Sequence, residues 1–258
     1  MNKLFIVCCF FLSIEIACAQ NETNDTGEGV FYSIEEAKKK PLDVKVLILE
    51  HQSYDHVPEL LAQFSNIEVL SLKGNSISVL PSFFSKLIHL HDLNLGENIF
   101  AVLPEELFNM PGLRILNIYG NQLTEISDRI TELKSLYRLN VSYNKITQIP
   151  LSVLSLKELN TLNVSHNNIS VIPVDICQLT SLHYLYLGHN SISQFQPCLA
   201  SLPDLSMVDL EFNDKITSLP VHLESMKSLR LLNLKGTKVS RGEVEKLKKA
   251  LPHTMIDF

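Results

Sequence analysis

With 258 residues, 45% of them hydrophobic, the chain is long enough for one sizeable domain, and its formal net charge of −6 argues against a nucleic-acid ligand. No Ser, Cys or carboxylate constellation suggests catalysis, and no cofactor is expected. Five cysteines reduce to two, Cys177 and Cys198, once the first nineteen residues are set aside.

Those residues, 1–19, begin with Met1-Asn2-Lys3, continue with an apolar run from Leu4 to Ile14, and end in Ala17-Cys18-Ala19 before Gln20. Charged, apolar and small-residue parts in that order make a secretory signal peptide, cleaved near Ala19. The apolar run is too short to span a membrane, so no transmembrane segment is expected. A lipoprotein signal would acylate Cys18, but Glu15 stands where such signals resemble one another in carrying an aliphatic residue. Cleavage removes one Lys and one Glu and leaves the net charge unchanged. The expected location is therefore secreted or cell envelope.

Residues 20–43 read as a flexible arm followed by a short capping helix. Ser33-Ile34-Glu35-Glu36 is a capping box that opens one or two helical turns ending at Pro41, with Phe31 and Tyr32 positioned to cover the first repeat.

From 44 to 239 the chain repeats every 23 residues, with eight full units and a partial ninth. Asn75, Asn98, Asn121, Asn144, Asn167, Asn190 and Asn213 share one register. Around each stands one frame, as in Leu136-x-x-Leu139-x-Val141-x-x-Asn144-x-Ile146-x-x-Ile149-Pro150. One such unit cannot bury its apolar face alone, so its leucines stack on those of its neighbours. The column Leu47, Leu70, Leu93, Leu116, Leu139, Leu162, Leu185, Val208 and Leu232 forms one ridge of that core. The Asn amides satisfy backbone groups where the chain turns inward, so Asn144→Leu should cost roughly 1–3 kcal/mol. Leu-Pro or Ile-Pro steps at Pro81, Pro104, Pro150, Pro173 and Pro220 suit a short helix entry, where the missing donor is not needed. Ser127 and Gln196 depart from the proline column. One extra residue between Asn213 and Ile216 predicts a small local bulge.

In these features the chain resembles the leucine-rich repeat family, and bacterial exported members in particular, because the cysteine-rich caps of animal extracellular members are missing. The resemblance implies an α/β solenoid: a right-handed horseshoe with a parallel β-sheet on the concave face and short helices or turns on the convex face. Residues 240–258 close it. Ser240-Arg241-Gly242-Glu243 is a second capping box, Val244, Leu247 and Leu251 give an amphipathic helix, and Met255 to Phe258 read as a last strand with Ile256 and Phe258 turned toward the core. With the sequence stopping there, no catalytic domain, membrane anchor or cell-wall sorting tail is expected.

In the family the strand residues between buried columns face out from the concave side. The middle units carry Asn94, Asn117, Asn140 and Asn163 at one such position, the family's usual residue; Tyr186 and Asp209 then replace it. Arg138, Thr161, Tyr184 and Met207 follow one another in a second column. Tyr143, His166, His189 and Phe212 do so in a third, with Tyr119 nearby. Aromatics, Met and Arg are enriched at interface cores, so Tyr119, Arg138, Tyr143, His166, Tyr184, Tyr186, His189, Met207, Asp209 and Phe212 make the candidate partner-binding patch. The reading is an exported, noncatalytic, monomeric module with a protein ligand, since a curved sheet of this length supplies the about 800 Å² per side of a standard interface.

An intracellular signalling scaffold is the alternative if residues 1–19 are not a signal. An enzymatic site on the concave face would need a paired nucleophile and base that these columns lack. His166 and His189 with Tyr143 or His183 are weak metal candidates, because His is ordinary at that turn and no Cys or carboxylate completes a set; no metal is expected. The two histidines are instead expected to make binding pH-sensitive, as charging both is unfavourable. The sequons at Asn140, Asn163 and Asn168 follow from the repeat, leaving Asn21 and Asn24 as the glycan sites to check in a eukaryote. Cys177 and Cys198 lie on adjacent units, but the geometry is tight, and two packed thiols are expected. Val46, Ile48 and Val69 stand at exposed strand positions of the first two units, covered by the segment around Phe31 and Tyr32 or used as an edge for self-association.

Overall fold

The computed structural model describes residues 28–258 apart from Val221, so the signal, Cys18, Asn21 and Asn24 lie outside the described residues. Eleven strands form one all-parallel sheet that follows the order of the chain. They are β1 (Val30–Phe31), β2 (Val46–Ile48), β3 (Val69–Ser71), β4 (Asp92–Asn94), β5 (Ile115–Asn117), β6 (Arg138–Asn140), β7 (Thr161–Asn163), β8 (Tyr184–Tyr186), β9 (Met207–Asp209), β10 (Leu231–Asn233) and β11 (Met255–Asp257). Leu70 pairs with Leu93 and Leu93 with Leu116, so the repeat register is the sheet register. The sheet stays open, and the architecture is the expected solenoid with a parallel sheet along one side.

The ridge from Leu47 to Leu232 is wholly buried, packed against a second layer that includes Phe64, Phe84 and Phe100. The convex connections are 3-10 turns of three to five residues. Proline fits their entry: Pro81 and Pro150 hold extended backbone and lend their carbonyls to Phe84 N and Val153 N. Where proline is missing, a side chain takes part. Ser127 Oγ accepts from Arg129 N, and buried Gln196 donates from Nε2 to Ile172 O at 2.8 Å.

The Asn ladder stitches coil to coil. Asn167 Oδ1 accepts from Ile146 N at 2.9 Å, while its Nδ2 donates to Val141 O, Val164 O and Ser165 O at 3.0–3.1 Å. Asn98, Asn121, Asn144, Asn190 and Asn213 repeat the pattern, and Asn75 accepts from two amides, Gln52 N and Tyr54 N. The extra residue after Asn213 is absorbed in a turn closed by Ile216 N to Asn213 O, and β9 still pairs with β10. Thr237 then takes the ladder position and donates to Leu234 O at 2.7 Å.

Both ends are capped. Strand β1 pairs with β2, with Val30 opposite Val46, so the edge carrying Val46 and Ile48 is covered. Helix α1 (Ile34–Ala37) follows, with Ser33 Oγ accepting from Glu36 N, and it buries Ile34 and Ala37. Helix α2 (Arg241–Ala250) carries the fully reciprocal box of Ser240 and Glu243 and buries Val244 and Leu247. Ile256 is buried as expected, but Phe258 is 49% exposed, contrary to the inward placement read from alternation. It follows the last paired residue, Asp257, and no further coil among the described residues packs over it. Cys177 and Cys198 sit on neighbouring 3-10 turns as free, half-buried thiols, and Cys198 donates to Val174 O at 3.1 Å.

Candidate functional site

One column decides the character of the open side of the sheet. The residue just before each ladder Asn has positive φ: Gly74, Glu97, Gly120, Tyr143, His166, His189 and Phe212, followed by Gly236 beyond the bulge. The turn after each strand demands this left-handed geometry, which glycine adopts freely and other residues only at a cost. Four successive coils nevertheless place rings there. Tyr143 stacks on His166 at 3.8 Å between centroids, His166 on His189 at 3.9 Å, and His189 on Phe212 at 4.5 Å, with interplanar angles of 12°, 14° and 31°. The stack borders the sheet, and its ends, Tyr143 and Phe212, are 56% and 45% exposed.

Inward from the stack the candidate patch divides. Arg138 and Tyr184 are half-exposed, whereas Tyr186, Met207 and Asp209 are buried, which corrects their reading as open surface. The register is the reason: Tyr184 lies opposite Met207, and Tyr186 opposite Asp209, so bulky side chains on adjacent strands cover one another. Tyr119 is half-buried and donates from Oη to Glu97 Oε1 at 3.0 Å. Arg138 lies with its guanidinium 5.8 Å from the Tyr137 ring centroid, and its Nε is buried with no partner among the described residues.

Asp209 keeps the function of the Asn it replaces, since its Oδ1 accepts from Glu211 N at 3.0 Å as Asn94 does from Gly96 N. Burial, aided by the charge of Glu211, nevertheless pushes its carboxyl up to about 6. Burial likewise raises the Tyr186 phenol to about 12, with Tyr184 and Asp209 adding to the effect. His166 is held below the usual imidazole range by burial and by His189 beside it. Glu211 reaches the stack: its Oε1 lies 3.4 Å from His189 Nε2, and its Oε2 accepts from Asn233 Nδ2 at 3.1 Å. Stacked imidazoles point their in-plane lone pairs along parallel sheets and do not converge on one ion. Among the described residues no three His, Cys, Asp or Glu side chains are placed to hold a metal.

The model of the leucine rich repeat matches residues 88–146 and 134–192, and a second leucine rich repeat model matches residues 66–87. The chain belongs to the leucine-rich repeat proteins. It is similar to a leucine-rich repeat protein of Leptospira interrogans, with 33% identity and a TM-score of 0.81 over 88% of this chain and 57% of that one. It is also similar to the receptor kinase HAESA of Arabidopsis in complex with a peptide hormone and a co-receptor, with 27% identity and a TM-score of 0.68 over 88% of this chain and 39% of that one. An internalin from Listeria monocytogenes shares the fold at 18% identity and a TM-score of 0.61, over 88% of this chain and 77% of that one. The chain thus spans under two thirds of the length of the first two relatives. Comparison with the curated proteins found no match. Within the leucine-rich repeat frame, Glu97, Glu211 and the glycines of the ring column are the site residues that sequence reading missed. The signal was present, because Glu211 follows Asp209 by two positions and glycine recurs at positions 74, 120 and 236. No helix among the described residues is long and apolar enough to cross a membrane.

Proposed function

We propose that this chain is an exported, noncatalytic leucine-rich-repeat module that binds a protein or peptide ligand on the open face of its sheet, over β6 to β9. The ring stack from Tyr143 to Phe212 carries the reading. It sets rigid aromatic area beside the half-exposed Arg138 and Tyr184, and such anchors dominate binding energy at interfaces. Leucine-rich repeat folds commonly serve as protein-binding modules, and the HAESA ectodomain holds a peptide hormone. Export rests on the signal-like residues 1–19. Action as a monomer is supported by the shortness of the sheet's edge strands, two residues at β1 and three at β11, which limits edge-to-edge pairing.

Two experiments test this. Intact mass and fractionation of the native protein from its own cells should give a chain starting at Gln20, without lipid, in the envelope or medium; an uncleaved cytoplasmic chain overturns export. Tyr184→Ala combined with Phe212→Ala should weaken a captured protein ligand at least about tenfold with the fold intact. Unchanged affinity overturns the location of the site.

A further inference from the structure

The ring column is not filled evenly, and its gap has a shape. Side chains in it lean toward the following coil: a Cβ on Gly74 would lie 2.2 Å from His51 Nδ1, and one on Gly236 would lie 2.7 Å from Phe212 Cδ1. Those two glycines are therefore roofed by the ring of the coil before them. Gly120 differs, because the nearest atoms to its Cβ position are Glu97 Cγ, N and Cα at 3.4–3.5 Å, an ordinary contact with no ring. Tyr143 leans onward to His166, so its other ring face looks back over Gly120 with no aromatic on it. One rung of the stack is missing.

A carboxylate borders this rung. Glu97 Oε1 accepts from Tyr119 Oη and lies 3.5 Å from Lys73 Nζ, while its Oε2 has no partner among the described residues. The Glu97 side chain is 45% exposed. Coils repeat about every 4.8 Å along the sheet, so the rung is one planar layer thick.

We propose that the rung at Gly120 receives an arginine side chain of the protein ligand, its guanidinium plane stacking on the free face of Tyr143 and pairing with Glu97. The inference rests on the proposed function above. The chemistry selects the occupant. A guanidinium is flat, prefers aromatic faces and pairs with carboxylates through a planar fork, whereas an ammonium is not flat and a neutral ring gives Glu97 Oε2 no charged partner.

The test is an NMR titration of the full chain at low ionic strength, following the ring signals of Tyr143, with acetyl-Gly-Arg-Gly-amide as the probe. Its citrulline analogue has the same plane without the charge. The arginine peptide should give saturable shifts, and the citrulline peptide should bind about tenfold more weakly. Gly120→His fills the rung with the residue that positions 166 and 189 already hold at the same positive φ, and it should abolish the response. Glu97→Gln should remove the preference for arginine over citrulline and needs no change at the turn. No saturable shift, equal response to both peptides, or unchanged binding by Gly120→His and Glu97→Gln overturns the proposal. The probe reads the rung without the whole partner. Failure here with loss of ligand in the Tyr184 and Phe212 variant refutes the rung alone, whereas unchanged ligand affinity in that variant refutes the reading beneath it.

Discussion

Replacing Asn167 by Leu removes a side chain of similar size while breaking one link between two coils, and its cost follows from the bonds it makes. Ile146 N, which donates to Asn167 Oδ1 at 2.9 Å, is buried and loses this partner, at about 1–3 kcal/mol. The two core carbonyls are shared: Val141 O also accepts from Asn144 Nδ2, and Val164 O also accepts from Asn190 Nδ2, so each loses one of two donors. Those losses add about 0.5–1.5 kcal/mol each, and the gain from burying a leucine offsets part of the sum, leaving roughly 2–4 kcal/mol. Urea denaturation of Asn167→Leu should show a lower midpoint at unchanged slope. Asn144 makes the same set of bonds but is only half-buried, so water replaces part of what Asn144→Leu removes, and that variant should lose less. A wild-type midpoint for Asn167→Leu, or a larger loss at position 144, refutes the view that the ladder stabilises by satisfying buried backbone.

Asp209, whose carboxyl lies near 6 when folded, binds its proton more tightly in the folded chain, so it favours folding at low pH and loses that contribution as pH rises from about 4 through 6. Asp209→Asn, the residue found at the equivalent positions 94, 140 and 163, should therefore be more stable than wild type at pH 7.5 by about 1–3 kcal/mol and nearly equal to it at pH 4, read as the difference in Tm; a difference independent of pH contradicts this. His166 is displaced in the opposite sense, with the folded chain resisting its charge, so stability falls as pH drops below the ordinary imidazole value. NMR titration should find His166 below the ordinary imidazole value, and an ordinary or raised value removes the argument. Gly236→Ala meets both a φ of +72° and the Phe212 ring, and should cost about 1 kcal/mol in denaturant while shifting the Phe212 ring signals; intact ring signals would show that the ring does not rest on this glycine.

The repeat period made the solenoid legible, since a residue's place in a 23-residue frame fixes which column it joins and hence that Leu139 is core and Asn167 a staple. The capping boxes were legible for the same local reason. What period does not fix is how far a neighbour on the adjacent strand covers a side chain. Tyr186 and Met207 were assigned to an open face by register and are buried by the bulk of the residues opposite. Phe258 shows the converse, since alternation turns it inward but no coil among the described residues closes over it. The continuity of the ring stack was only half visible. The four residues stand 23 apart in the chain, but their stacking depends on a left-handed backbone that sequence signals only through the glycines at 74, 120 and 236.

That backbone bears on why the rings are there at all. Glycine meets the turn without strain, and a bulky residue at positive φ costs about 1 kcal/mol or more per position. Tyr143, His166, His189 and Phe212 each accept that cost, while a stacked aromatic pair returns about 0.5–1.5 kcal/mol. Three contacts for four strained positions leave the stack close to neutral for folding, so stability alone gives little reason to prefer these residues over glycine. The continuous stack also breaks off at Gly120 on one side and Gly236 on the other, which confines it to the same strands that expose Arg138 and Tyr184. A feature that adds little to stability, is built against backbone preference and stops where the half-exposed patch stops is better explained by what it contacts than by what it holds together.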